Sequence, residues 1–231
     1  MQTDSGSGVA RQVLKTIQEA FVEFGRVFRG ARDPEMKYRV LVYSIRESYR
    51  TYFERVHGRS WPETNRAFYT YSDKTLVLLD LRDDEALRTD VRHEAFHAFL
   101  HSFWVDAPAW FNEGLATYYE TSGGANADRT KELLLLEEVG AMDSIDTLRA
   151  VGYKDYAYST VQVGRYTVPR YYAQGWSLVR FMMDDADRRR ALTRFLDALQ
   201  GGATDDEAWT TASRGLTVEK LDAEWERARA K

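Results

Sequence analysis

The chain has no cysteine and only four histidines among its 231 residues. Without cysteine there are neither disulfides nor thiolate metal ligands, and the redox compartment stays open. No apolar run approaches the roughly 20 residues a bilayer-crossing helix needs, so no membrane span is expected. A surplus of positive charge is missing too: the formal net charge is −4, and without a dominant basic stripe nucleic acid is not an expected partner. The one dense basic run, Arg188-Arg189-Arg190, falls in a helical pattern interleaved with Asp and reads as a solvated face. The first ten residues, MQTDSGSGVA, lack the basic and apolar regions of a signal peptide. They read as a flexible leader, compatible with a signal already trimmed.

What is present is ordinary for a soluble globular protein, with 44% hydrophobic and 29% charged residues and enough length to bury a core. Residues 11–29 place Val13, Leu14, Ile17, Phe21, Phe24 and Phe28 on one helical face. After a turn at GARDPE (30–35), YRVLVYS (38–44) reads as a strand and ESYRTYFERV (47–56) as a helix. FYTYSDKTLVLLDLR (68–82) has the form of a hairpin, and its near-continuous apolar second arm suits a strand covered on both sides or lining a cleft. Helices are predicted over 85–103, 109–121, 129–140 and most of 169–229. Residues 156–169, β-prone but polar and interrupted by Gly164, read as an irregular excursion. The expected fold is therefore α+β: a small amino-terminal mixed sheet with a prominent helix, then a mainly helical half. The expected divisions are a leader at 1–10, a sheet and metal-helix subdomain at 11–125, and a helical subdomain closing a cleft at 126–231.

Three of the four histidines fall within RHEAFHAFLH (92–101). Residues four apart share a helix face, so His93 and His97 can aim at one ion while Glu94 stands beside them as a base. His101 lies two turns from His93, about 12 Å along the axis. One helix cannot bring all three to one ion, and His101 reads as a cleft-lining or structural residue. The plain alternative is an amphipathic helix with Phe96, Phe99, Leu100 and Phe103 in the core. The next segment, AWFNEGLATYYE, favours the metal: Glu113 follows His97 by sixteen residues, enough to turn and return antiparallel and complete a two-histidine, one-glutamate set with a fourth position for water. Gly114 would let the two helices approach closely. Thr117 is placed one turn on, where it would accept a ligand histidine's N–H. Trp110 and Phe111 suit helix packing, and Glu137, Glu138, Asp143 and Asp146 have no ligand spacing.

HEAFH followed by PAWFNEGLA (108–116) and YYAQGWSLVRF (171–181) resembles the gluzincin metallopeptidases, and more closely the bacterial peptidase MA-like proteins. The likeness spans roughly residues 38–200. It implies a thermolysin-like catalytic core, Zn2+ held by His93, His97 and Glu113, Glu94 as general base and acid, and a peptide or protein substrate laid along a strand edge. TLVLLDL, just before the metal helix, fits that edge by position. Many relatives are exported, which with the leader points toward a periplasmic or secreted location. The chain departs from thermolysin-like members at Thr117, where they carry Asp, and in having no histidine after His101. It also lacks the G-x-M-E-N loop of aminopeptidases. A second donor for the developing oxyanion is expected from Tyr172 or Tyr171.

The expected function is zinc-dependent hydrolysis of peptide bonds. The alternative is a non-catalytic or regulatory peptide-binding domain that keeps the fold. Retention of Glu94 beside all three ligands favours the enzyme. The sequence leaves oligomeric state and cleavage specificity open.

Overall fold

The computed structural model, which describes residues 1–30, 32–33, 35–103, 105–213 and 217–229, divides into two units, Met1–Phe103 and Trp104–Lys231. Its elements are those of an α+β chain with a small mixed sheet and a majority of helix. Ala31 and Pro34 of the predicted turn lie outside the described residues, as does Trp104.

The first unit runs β1 (Gln2–Thr3), α1 (Ser7–Val27), β2 (Arg39–Tyr43), α2 (Arg46–His57), β3 (Ala67–Thr70), β4 (Thr75–Leu79) and α3 (Asp84–His101). Its sheet has the order β1-β2-β4-β3, with β1, β2 and β4 parallel and β3 antiparallel to β4. Two features differ from the sequence expectation. Gln2 and Thr3, inside the expected leader, pair with Leu41 and Val42. The TLVLL strand is not an edge: β4 pairs with β2 on one side and β3 on the other. All five of its residues are buried, and an apolar run covered on both faces belongs in a sheet interior. The edge beside it is β3.

Helix α1 buries Val13, Thr16, Ala20 and Phe24, a stripe at three- and four-residue spacing. Leu14, expected on that face, is 42% exposed. Phe24 meets Phe96 and Phe99 of α3 edge-on, with ring centroids 5.2 and 5.3 Å apart. Arg92 reaches Glu23 at 2.8 Å across the same seam. Burying each phenylalanine is worth about 1.5–3 kcal/mol, whereas a part-exposed ion pair contributes about 0–1 kcal/mol. The aromatic seam therefore sets the position of α3 against α1. On the other side of the sheet order, Tyr49 and Phe53 of α2 pack with Leu41, Phe68, Val77 and Leu79.

The second unit runs α4 (Ala109–Tyr119), a 3₁₀ turn (Ser122–Gly124), α5 (Ala127–Glu138), α6 (Ile145–Ala150), α7 (Tyr153–Tyr158), β5 (Thr160–Val163), β6 (Tyr166–Pro169), α8 (Tyr172–Met183), α9 (Ala186–Gln200), α10 (Asp205–Ser213) and α11 (Val218–Arg229). The expected irregular excursion is thus a short helix and an antiparallel hairpin, Thr160 pairing with Pro169 and Val163 with Tyr166. Gly164 supplies its turn at φ 57°, a conformation that glycine adopts without strain. Val163 and Val168 pack on Leu133, Leu136 and Ala173, which gives the polar hairpin one apolar face. Residue 125, where a boundary is expected from sequence, falls inside this unit. Trp110 and Phe111 are buried against Phe195, at 5.4 and 5.1 Å between ring centroids, so they serve packing. Among the described residues no helix is long and apolar enough to cross a membrane.

Candidate metal centre

Helix α3 begins at Asp83, whose carboxylate accepts the Ala86 N–H at 3.0 Å, and Asp84 and Glu85 complement the helix dipole in its first turn. From Val91 to Leu100 every residue is buried except His93, which is half-buried. A helix end so largely enclosed leaves little solvent to hydrate polar side chains, and yet it carries His93, Glu94 and His97. The two imidazole rings stand 4.8 Å apart, nearly perpendicular at 81°.

Helix α4 starts after Pro108, whose φ of −63° suits a helix entry. Every residue from Ala109 to Tyr119 is buried except Glu113, which is half-buried. One ligand atom from each of His93, His97 and Glu113 lies within 4.8 Å of the others. Two imidazole nitrogens and a carboxylate oxygen so grouped can hold a metal ion. The structure thus brings together the three residues that spacing singled out. Glu94, next along α3 from His93, is 7% exposed.

His101 has a separate role. Its Nδ1 is 2.7 Å from the Tyr69 hydroxyl, and its ring lies against Tyr69 and Tyr71. Burial, with a smaller contribution from Lys74, holds its pKa below the ordinary histidine value. Of the acidic residues at the end of α5 and after it, three are held in ion pairs. Asp143 receives Arg170 at 2.7 Å, Glu137 receives Arg229 at 3.2 Å, and Asp146 receives Arg149 at 3.2 Å.

One expectation about α4, at Thr117, needs correction. Gly114 is packed tightly against α8: a β-carbon there would stand 2.8 Å from the Gly175 carbonyl oxygen and 2.9 Å from Val179. The Thr117 hydroxyl, fully buried, has no hydrogen-bond partner among the described residues, so it does not orient a ligand histidine.

Tyr171 precedes α8 and Tyr172 opens it, both half-buried. Arg170 lies over the first ring at 5.6 Å and Arg129 over the second at 5.4 Å. Between them stands a residue that sequence reasoning passed over. Tyr156 is 1% exposed and stacks on Tyr171 at 5.9 Å while meeting Tyr172 edge-on at 5.2 Å. Burial, then the Glu113 carboxylate and Tyr172, push its phenol well above the ordinary value. Its hydroxyl has no partner among the described residues. Only its place in a YKDYAY stretch, with tyrosines three before and two after, marks it in the sequence.

The remaining polar residues of α8 are structural. Buried Gln174 donates to Asp143 and to the Arg170 carbonyl, both at 2.9 Å, and accepts the Asp143 N–H at 2.7 Å. Trp176 donates its indole N–H to the Gly124 carbonyl at 2.9 Å, which pins the 3₁₀ turn after α4.

Comparison of the chain with family models and with curated proteins gives no match.

Proposed function

We propose that the chain is a zinc-dependent peptidase of gluzincin type, with a thermolysin-like core. The observation that carries this reading is the grouping of His93, His97 and Glu113. Two histidines and a glutamate are a donor set that zinc takes in catalytic sites, where a fourth position stays open. When bound, zinc supplies an acidified water and a polarised substrate carbonyl. Glu94 takes a proton at its carboxylate and returns it to the departing amine. A hydroxyl from Tyr172 or Tyr171 donates to the oxygen on which charge develops, and Tyr156, packed against both rings, fixes where those hydroxyls point. An extended substrate adds to the sheet at β3, the edge strand, through backbone hydrogen bonds.

The test is metal content by inductively coupled plasma mass spectrometry together with hydrolysis of a peptide library. About one zinc per chain is expected in the parent and in Glu94→Ala, and much less in His97→Ala and Glu113→Ala, because losing a ligand removes most of the affinity. Hydrolysis is expected in the parent alone. Zinc bound as tightly by Glu113→Ala as by the parent would sink the ligand assignment. Full metal loading without cleavage of any peptide would replace the enzyme by a peptide-binding domain.

A further inference from the structure

Within the second unit, α8, α9, α10 and α11 surround a cavity of about 430 Å³. Its floor includes Leu192, Phe195 and Trp209, all buried. Its solvent side carries Arg188, Arg190 and Arg194 against one acid, Asp187. The volume falls in the range of small-molecule sites, which are apolar with a few placed polar groups.

We propose that this cavity binds a small anionic amphiphile, a molecule with an aliphatic body and a carboxylate head. Two observations converge. The apolar floor takes the body. The arginines exceed the acids at the mouth, and planar guanidinium is the group best matched to a carboxylate.

The Arg188-Arg189-Arg190 run therefore does more than solvate a helix face. Arg188 is half-buried, donates through Nε to the Phe181 carbonyl at 2.9 Å, and lies over the Phe181 ring at 4.0 Å. That anchorage fixes its guanidinium beside the cavity at little further entropic cost to a ligand. Arg190 is exposed, and its ion pair is with Asp187.

Isothermal titration calorimetry on the full chain tests this with decanoate, decanol and decyltrimethylammonium. Decanoate is expected to bind once per chain, with decanol at least about tenfold weaker and the cation not binding. Arg190→Gln, at an exposed position that leaves the fold intact, is expected to weaken decanoate about fivefold, and Arg188→Gln/Arg190→Gln more than about tenfold. Asp187→Asn, which removes the competing acid, is expected to tighten it. No saturable decanoate binding, equal binding of decanol, or an affinity indifferent to Arg190→Gln and Asp187→Asn would each overturn the proposal.

Discussion

Gly114 and Gly175 face each other across α4 and α8 so closely that a β-carbon on the first would lie 2.8 Å from the carbonyl oxygen of the second. Backbone cannot retreat as a side-chain tip can, so Gly114→Ala is expected to destabilise the chain by about 1–3 kcal/mol. Gly25, inside α1, supplies the opposite sign. A β-carbon there would meet nothing nearer than Arg32 at 3.9 Å, and Gly25→Ala is expected to stabilise by about 0.4–1 kcal/mol. Urea unfolding of both variants checks the pair. Equal effects would mean that the helix contact is looser than described.

Tyr156 separates the value of a ring from that of its hydroxyl. The ring fills space against Tyr171 and Tyr172, so Tyr156→Ala is expected to cost about 3–5 kcal/mol, as for large aromatic truncations. The hydroxyl is buried and has no partner among the described residues. Tyr156→Phe is therefore expected to leave the melting temperature unchanged or to raise it by about 2–4 °C per kcal/mol of relief. A fall of several degrees would show that the hydroxyl is bonded in the folded protein.

Two histidines outside the metal group make stability depend on pH. His57, against Phe53 and Phe68 at 4.2 and 4.8 Å, titrates below its ordinary value because of burial, with Arg59 adding repulsion. His101 does so because of burial and then Lys74. A histidine with a depressed folded pKa binds fewer protons folded than unfolded. Its contribution is thus complete above the unfolded pKa near 6.5 and declines as pH falls through that value toward the folded one. His57→Asn/His101→Asn, unfolded in denaturant with chelator present, is expected to lose less stability than the parent between about pH 7 and pH 5. Parallel pH profiles would contradict this.

Much of the chain declares itself locally. HEAFH and the glutamate sixteen residues on needed only helical spacing and a plausible turn, and the structure groups His93, His97 and Glu113, which could hold a metal ion. What failed was whatever depends on partners distant in sequence. TLVLL reads the same whether it lies at an edge or inside; only its pairing to both β2 and β3 decides. The hairpin at 160–169 hides because its apolar face rests on Leu133 and Leu136, some thirty residues earlier. Gly114 announces a close approach without naming the helix that approaches. Tyr156 carries no periodicity at all, and its importance comes from two rings on another element.

The interior placement of β4 also ranks the first unit's parts by how often they open. Its backbone amides are held from both sides under fully buried side chains, whereas β1 contributes only two residues to its edge. Solvent deuterons should therefore reach Val77 and Leu78 last, and only when the whole unit unfolds, while the amides around Gln2 and Thr3 exchange through brief local fraying that leaves the rest of the sheet closed.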